Sequence, residues 1–430
     1  MKSPGDWLLG RREFLKHSAL AGLGLSLMHF GATAAAAAVG AAAPPRVNRY
    51  VPLGKTGIKM SDISFGSDSL GLGAEPEDLV RFALDCGINY FDTAEVYTGG
   101  DSETTLGKAL KGSRDKIYLT SKVLCARGER KERMMTALEG SLKRLRTDYI
   151  DIYFNHAVND VERVQNPQWH EFVDTAKKQG KIRFSGMSGH SGHLTQCVDY
   201  AIDSGRFDVL LCAHNFGQDP SFSQRFTRSF DFVAIQPPEL PQALKRARAK
   251  GVGVVVMKTL RGARLNDMRP YETGGASFPQ AAFRWVLAGP YADALIVSMR
   301  NQGQIAEYLG ASGATSTTAA DLPLLMQYAR MNDSTYCRPA CNICESACPL
   351  DVPISDVMRT RMYARDYGDL RKARDEYALL GAGAAACLTC TAKPCTGACP
   401  HGIATDQLGG ATHLALADDD GAGAVGWAGS

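Results

Sequence analysis

The chain has 430 residues, and its hydrophobic and charged fractions, 45% and 22%, are ordinary for a soluble globular protein. Composition therefore excludes wholesale disorder, and the length allows about two to four domains. With 48 Lys and Arg against 45 Asp and Glu, the formal charge is only +3. That balance excludes a nucleic-acid partner bound by phosphate neutralisation. The unusual feature is the twelve cysteines, most of which fall between Cys337 and Cys399.

The first 43 residues have the pattern of an export signal. Arg11 and Arg12 lie in the string GRREFLK, and after Lys16 no charged residue appears until Arg46. A charged head, an apolar middle and Ala-x-Ala sites are typical of a cleaved signal peptide. The string resembles the twin-arginine signal. The resemblance implies the twin-arginine export machinery as a partner, and a periplasmic or other extracytoplasmic location. We expect cleavage within Ala34–Ala43; the alternative is an uncleaved membrane anchor, since the uncharged stretch exceeds the ~20 residues that span a bilayer. Any membrane contact is expected only through this segment.

From about residue 50 to residue 315, short apolar runs alternate with segments of helical periodicity, such as 130–145 and 238–250. We interpret the runs as buried parallel strands. They lie at 63–67, 88–94, 116–123, 150–156, 181–188, 208–214, 252–259 and 293–299. Such an alternation indicates the α/β class, as a closed (β/α)8 barrel or an open doubly wound sheet. No GxGxxG follows a strand and opens a helix, which favours the (β/α)8 TIM barrel.

Polar residues recur at the carboxyl ends of four of these strands. Asp92, Lys122, His156 and Ser188 follow one another at intervals of 30, 34 and 32 residues, and one βα unit takes ~30 residues or a little more. Each residue therefore takes the same rim position one unit further around the barrel, where the chemistry of such barrels gathers. Tyr97 lies in the loop above this rim. The alternative is that these residues form rim ion pairs and a hydrogen-bonded loop histidine.

Four strings in order resemble the aldo/keto reductases, over roughly residues 49–315. They are RYVPLGKTGIKMSDISFG, NYFDTAEVYTGGDSETTLGKAL, YLTSKV and DIYFNH. The resemblance implies an oxidoreductase that interconverts a small-molecule carbonyl compound and an alcohol. It also implies a catalytic tetrad of Asp92, Tyr97, Lys122 and His156.

The implied chemistry needs these residue types. A phenol with a pKa near ~10 is a poor proton donor and acceptor at neutral pH. We expect the positive charge of Lys122 to lower the pKa of Tyr97. Asp92 would keep Lys122 charged and oriented, and His156 would hold the substrate carbonyl by a hydrogen bond.

The resemblance also implies an NADP site, from which this sequence departs. The positions implied to contact the cofactor are Ser188, His214, Lys258, Leu260, Arg300 and Gln304. Gly189 replaces the usual Asn after Ser188, and His214 lies where a stacking Tyr is usual. Gln304 stands where an Arg usually helps to hold the 2′-phosphate, with Arg300 as a substitute. These departures predict weak NADP binding.

Two cysteine runs near the carboxyl terminus each end in C-x3-C-P, the close of the bacterial ferredoxin run. They are Cys337-x3-Cys341-x2-Cys344-x3-Cys348-Pro349 and Cys387-x2-Cys390-x4-Cys395-x3-Cys399-Pro400. They resemble the ligands of two 4Fe–4S clusters. The ferredoxin analogy implies two crossed sets: Cys337, Cys341, Cys344 and Cys399, and Cys387, Cys390, Cys395 and Cys348. The alternatives are one cluster closed by each run, zinc, whose Cys₄ sites also use C-x2-C pairs, and disulfides.

We therefore expect a signal peptide at 1–43, a barrel at 49–330, a small α-helical ferredoxin-like domain at 331–408 and a disordered tail at 409–430. Helices at 354–366 and 369–379 would bring the cysteine runs together. We predict an exported oxidoreductase whose clusters carry electrons to or from a redox partner protein. The alternatives are an NADP-dependent reductase with structural clusters, a non-catalytic electron-transfer or docking protein, and a zinc-stabilised binding module.

Overall fold

The structure, a computed structural model, describes residues 44–70, 75–219, 222, 239–262 and 265–417. The predicted signal peptide at 1–43 lies outside the described residues, as do residues 418–430 of the predicted tail. In the described part of the chain, no helix has both the length and the apolar character needed to cross a membrane.

A short antiparallel hairpin, which the sequence did not reveal, opens the described chain. Its strands are β1 (Tyr50–Pro52) and β2 (Lys59–Ser61), with Tyr50 opposite Ser61. Apolar side chains of the hairpin, including Leu53 and Met60, are fully buried. They form one apolar cluster with barrel-strand residues, such as Tyr90. The hairpin therefore closes the amino-terminal end of the barrel and leaves the carboxyl end for the site.

Eight parallel strands close into a barrel, which confirms the predicted fold. They are β3 (Ile63–Gly66), β4 (Tyr90–Asp92), β5 (Tyr118–Val123), β6 (Ile150–Asn155), β7 (Ile182–Gly189), β8 (Val209–Ala213), β9 (Gly253–Met257) and β10 (Ala294–Ser298). Each strand end lies within two residues of its expected place. The strands follow one another around the barrel in chain order, and β10 pairs with β3 to close it.

Helices cover the outside of the barrel. They are α1 (Pro76–Asp85), α2 (Asp101–Ala109), α3 (Lys131–Leu145), α4 (Val161–Val164), α5 (Pro167–Lys178), α6 (Leu194–Ser204), α7 (Glu239–Ala249), α8 (Phe278–Ala288), α9 (Gln302–Leu309) and α10 (Asp321–Asn332). In α3 the buried side chains are Met134, Leu138, Leu142 and Leu145, with Ser141 beside them. This spacing of three and four residues makes one apolar face, which packs on the strands.

Four more helices form the C-terminal region. They are α11 (Ile354–Arg365), α12 (Leu370–Ala378), α13 (Pro394–Ala398) and α14 (Thr405–Leu416). The first two match the helices expected between the cysteine runs, and the region has its own apolar cluster.

Two expected domain limits need correction. The limit at 330 falls inside α10, and the described residues from Pro44 onward belong to one compact unit. The tail expected to be disordered from 409 is helical as far as Leu416. The physical reason for this ordered helix is its close packing at Gly409, where a Cβ would lie 3.2 Å from Cys387 Sγ. The absence of a side chain there lets α14 pack directly against the cysteine.

Candidate active site and cysteine groups

The four residues of the predicted tetrad come together at the carboxyl end of the barrel. Asp92 ends β4, Lys122 lies near the end of β5, and His156 directly follows β6. Tyr97 begins a single turn of 3-10 helix in the loop after β4. The closed barrel brings these strand ends to one rim, as the regular spacing of the residues predicted.

A buried ammonium joins three members of the tetrad. Lys122 Nζ donates hydrogen bonds to Asp92 Oδ1 at 2.5 Å and to the Thr93 carbonyl at 2.7 Å, and it lies 3.4 Å from Tyr97 Oη. Asp92 Oδ2 accepts a further hydrogen bond from Thr120 Oγ1 at 2.8 Å. The Lys122 and Asp92 side chains are only 1% and 2% exposed. The ion pair is therefore shielded from water and holds a positive charge beside the Tyr97 hydroxyl.

The expected lowering of the Tyr97 pKa is not found. Burial raises the pKa of Tyr97 well above its usual value, and the negative charges of Asp92, Asp68 and Glu376 raise it further. The sequence suggested only the nearby cation, whereas the fold also removes water and adds carboxylates. The phenol is therefore protonated at neutral pH and suited to donate a proton.

His156 is the neutral member of the tetrad. Burial lowers the pKa of His156 well below its usual value, and positive charges including Lys122 and Lys372 lower it further. The edge of the ring faces Tyr97, with 5.6 Å between the ring centroids. A neutral imidazole has one N–H donor, which a substrate oxygen beside Tyr97 could accept.

A cavity of about 290 Å³ lies beside Tyr97. Four of the six expected cofactor contacts line it, namely Lys258, Leu260, Arg300 and Gln304. Gln304 Oε1 accepts a hydrogen bond from the Arg300 N–H at 2.8 Å, which holds the loop after β10. The long polar side chains that follow the neighbouring strands β9 and β10 therefore face the same cavity.

The other two expected cofactor contacts, Ser188 and His214, are not among the residues that line this cavity. Ser188 Oγ accepts the Ala157 N–H at 3.0 Å. The ring of His214 lies 5.5 Å from that of Trp285 in α8, and its Nδ1 lies 2.8 Å from Gln218 Oε1. Side chains alternate between the two faces of a strand, and His214 continues β8 on the outer face. His214, expected to contact the cofactor, therefore lies outside this cavity.

Sequence reasoning missed other residues of the cavity. Asp68 follows β3, and its Oδ1 accepts a hydrogen bond from Ser298 Oγ at 2.5 Å. Tyr367 and Lys372 come from the C-terminal region and line the same cavity. Asp68 had a usable signal, because it is a polar residue just after a strand. No spacing rule could have placed the C-terminal residues here.

The C-terminal region also places a second tyrosine beside the tetrad. Lys258 Nζ donates a hydrogen bond to Tyr363 Oη at 3.2 Å, and Tyr363 Oη lies 3.0 Å from His190 Nε2. Lys372 Nζ lies 5.3 Å from the centre of the Tyr97 ring and 4.4 Å from the centre of the Tyr363 ring. The candidate site is therefore built jointly by the barrel rim and by α11 and α12.

The eight C-terminal cysteines fall into two groups. A cavity of about 20 Å³ is lined by one group, Cys348, Cys387, Cys390 and Cys395. The other group is recognised by its electrostatics: burial first, and then the thiols of Cys337, Cys399 and Cys341, raise the pKa of Cys344. Each group therefore combines three cysteines of one run with the last cysteine of the other, as in the crossed sets that the ferredoxin analogy implies.

No disulfide joins the described cysteines. Over the described ranges, no three or more His, Cys, Asp or Glu side chains form a group that could hold a metal ion. A single zinc ion needs thiolates at ~2.3 Å from its centre, whereas a 4Fe–4S cube spreads its four thiolates around a larger body. The arrangement of the eight cysteines in two groups of four is therefore the structural observation that is relevant to a 4Fe–4S site.

Comparison with known proteins agrees with the barrel geometry. The family described as "Aldo/keto reductase family" matches residues 62–272. L-galactose dehydrogenase of Arabidopsis thaliana is 27% identical over 296 residues, which cover 60% of this chain and 86% of that protein. The uncharacterized oxidoreductase YrpG of Bacillus subtilis is 30% identical over 238 residues, which cover 50% of this chain and 68% of YrpG. An aldo/keto reductase of Klebsiella pneumoniae, solved with NADP and acetate, gives a TM-score of 0.51 at 22% identity, over 66% of this chain and 95% of that one. At that identity the likeness concerns the fold alone.

Proposed function

Since the chain belongs to the aldo/keto reductase family and is an oxidoreductase of that type, we propose that it interconverts a carbonyl compound and an alcohol at the tetrad. Tyr97 donates a proton to the carbonyl oxygen during reduction and accepts one during oxidation. His156 donates a ring N–H to the same oxygen. Lys122 stabilises the phenolate that Tyr97 leaves, and Asp92 holds the ammonium in place. The buried contact of Lys122 with both Asp92 and Tyr97 carries the proposal.

Tyr97→Phe tests these roles, because it removes the hydroxyl and keeps the ring. We expect turnover of a carbonyl substrate to fall by ~10²–10⁴-fold, the usual contribution of a general acid–base group. The thermal unfolding midpoint should hardly change. Tyr153→Phe is a matched control, since Tyr153 is a buried barrel tyrosine that does not line the cavity. Normal turnover in Tyr97→Phe would place the chemistry elsewhere.

We further propose that each cysteine group holds one 4Fe–4S cluster. The ligands would be Cys337, Cys341, Cys344 and Cys399 for one cluster, and Cys348, Cys387, Cys390 and Cys395 for the other. When bound, such clusters supply single-electron transfer. The crossed grouping of the cysteines supports the proposal.

Iron analysis of full-length protein purified without oxygen tests the clusters. We expect about eight irons per chain and a broad visible absorption that bleaches on reduction. Cys344→Ser should lose about half of the iron, whereas Cys212→Ser, a buried barrel cysteine, should lose none. Colourless protein with stoichiometric zinc would contradict the proposal and favour the zinc-stabilised module.

We propose that the two electrons of the carbonyl/alcohol conversion reach or leave the barrel through these clusters and a redox partner protein, one electron from each cluster. One proton is then exchanged at oxygen through Tyr97, and a second is exchanged at carbon with water. The support is that α11 and α12, which lie between the two cysteine runs, bring Tyr363 to Lys258 and Lys372 to Tyr97. The ring of His214, at the position where a stacking Tyr is usual, also lies outside the cavity and near Trp285. The alternative is an NADP-dependent reductase with structural clusters, for which Arg300 and Gln304 line the cavity.

Titration with NADPH and NADH separates these two electron sources. Weak binding, together with turnover that depends on reduced clusters, is the result we expect. Micromolar or tighter NADPH binding, with turnover unaffected in Cys344→Ser, would establish the NADP alternative. Binding of a partner without any turnover would favour the non-catalytic electron-transfer or docking protein.

We also propose that residues 1–43 direct export by the twin-arginine route. The support is the GRREFLK string and the uncharged stretch after it. Replacement of Arg11 and Arg12 by Lys should keep the precursor in the cytoplasm, because the machinery reads the arginine pair. Export of this double variant would contradict the proposal, and wild-type protein retained in the membrane fraction would favour the uncleaved anchor.

A further inference from the structure

We propose that Lys372 binds a negatively charged group of the substrate, so that the substrate is an anionic carbonyl compound of the 2-oxo acid class, or the corresponding 2-hydroxy acid. This inference rests on the proposed function, because it places the carbonyl oxygen at Tyr97 and His156. It adds a substrate class and a binding residue that lies outside the barrel. Lys372 belongs to α12 of the C-terminal region.

The position of Lys372 is the first observation. Its side chain lines the 290 Å³ cavity together with Tyr97. The ammonium lies over two phenol rings, 5.3 Å from the centre of Tyr97 and 4.4 Å from the centre of Tyr363. These ring faces are the contacts found for its Nζ in the described part of the chain, where no carboxylate lies within ion-pair distance of it.

Lys122 and Lys372 differ in the partners of their ammonium groups. The ammonium of Lys122 is already saturated by Asp92, the Thr93 carbonyl and Tyr97. Its charge is therefore committed to the ion pair and to the phenol. Lys372 keeps its hydrogen-bond donors for a group that enters the cavity, and an ammonium is a strong partner for a carboxylate.

The surrounding charges favour an anion. The other cations around the site are Lys258, Lys122, Arg359 and Arg300. The carboxylates that face it are Asp92, Asp68 and Glu376. Of these carboxylates, Asp92 is paired with Lys122 and Asp68 accepts a hydrogen bond from Ser298. Positive charges that include Lys372 and Lys258 lower the pKa values of both His156 and His190, after the larger effect of burial. The charges that act on His156 are therefore positive, whereas Asp92, Asp68 and Glu376 act on Tyr97.

The geometry restricts where the anionic group lies on the substrate. The Lys372 ammonium lies over the Tyr97 ring, 5.3 Å from its centre, so we place the anionic group on the atom next to the carbonyl whose oxygen meets the Tyr97 hydroxyl. A carboxylate directly bonded to the carbonyl carbon meets this condition. The positive charge also stabilises negative charge that develops on the carbonyl oxygen before Tyr97 donates its proton.

Calorimetric titration with oxamate and oxamide tests the inference on the full-length protein. Oxamate has the shape and charge of a small 2-oxo acid, and oxamide is its neutral counterpart; neither needs turnover. We expect wild-type protein to bind oxamate about tenfold or more tightly than oxamide, the usual worth of a hydrogen bond to a charged group. Lys372→Met should abolish this preference, and Lys372→Arg should keep much of it.

Arg374→Met is the matched control, because it removes one positive charge from the exposed side of the same helix. It should keep the preference for oxamate. Equal binding of oxamate and oxamide by wild-type protein would overturn the inference, and so would equal losses in Lys372→Met and Arg374→Met. A Lys372→Met variant that loses NADPH affinity and keeps oxamate affinity would assign the ammonium to a cofactor phosphate and overturn it as well.

The wild-type comparison of oxamate with oxamide stays decisive if Lys372→Met does not fold, and Lys372→Gln then serves as the second variant. The outcome is separable from failure of the proposed function. Normal turnover in Tyr97→Phe, together with a preference for oxamate that depends on Lys372, would refute the tetrad chemistry and leave the anion site standing.

Discussion

Replacement of Lys122 by Met should destabilise the protein more than simultaneous replacement of Lys122 and Asp92. The single change leaves the Asp92 carboxylate in a site where its side chain is 2% exposed. Its remaining side-chain donor is Thr120. Removing one partner of a buried ion pair typically costs about 3–5 kcal/mol, because the other charge stays buried and unpaired.

The double variant, Lys122→Met with Asp92→Asn, has no buried charge at this position. Replacing both partners of a buried pair with neutral groups of similar shape is often close to neutral. We therefore expect it to lose less than ~2 kcal/mol of the free energy of unfolding. Both variants should lose turnover, since Tyr97 has no adjacent ammonium in either.

The cost of the single change should depend on pH. Burial raises the pKa of Asp92 in the folded protein, and Lys122 is the strongest opposing influence. Without Lys122 the folded-state pKa rises further above the unfolded value of ~3.9. The destabilisation should therefore be smallest below about pH 4 and grow as the pH rises through the folded-state pKa.

Urea unfolding of the full-length variants, followed by circular dichroism at about pH 5 and pH 8, measures these quantities. The reasoning is refuted if Lys122→Met is as stable as the double variant. It is equally refuted if the loss in Lys122→Met shrinks as the pH rises.

Three further changes have outcomes that follow from packing and burial. Glu103→Ala should lower the free energy of unfolding by about 1–3 kcal/mol in urea, because it removes a fully buried carboxylate and leaves the buried Ser121 hydroxyl without its acceptor; a loss below ~0.5 kcal/mol would contradict this. Gly186→Ala should cost about 1–3 kcal/mol by the same measurement, since its Cβ would lie 2.5 Å from the Val209 carbonyl oxygen in the barrel wall. Burial raises the pKa of Asp356 to about 7, so ionisation of this acid should reduce stability as the pH rises from about 4 to about 7. Asp356→Asn should remove that part of the pH dependence of the unfolding midpoint. An unchanged pH dependence in this variant would show that Asp356 is not its source.

Much of the fold and part of the site were predictable from local pattern. Each barrel strand is a short apolar run, so the period of the runs determined the number of strands and their order in a (β/α)8 barrel. Because every βα unit returns the chain to the same rim, the intervals between Asp92, Lys122 and His156 also determined that they would meet. The crossed grouping of the cysteines followed from the resemblance of the two runs to ferredoxin, where each run's last ligand serves the other cluster.

Only the tertiary structure decided the properties that depend on segments distant in the chain. The protonated state of Tyr97 arises from its burial and from carboxylates on three separate segments, which no spacing rule brings together. Whether His214 faces the inside or the outside of the barrel depends on its position along β8, because a shift of one residue turns a side chain to the opposite face of the strand. Lys372 reaches the reacting end of the cavity because α12 packs across the barrel rim, and packing between distant surfaces leaves no periodic signal in the sequence.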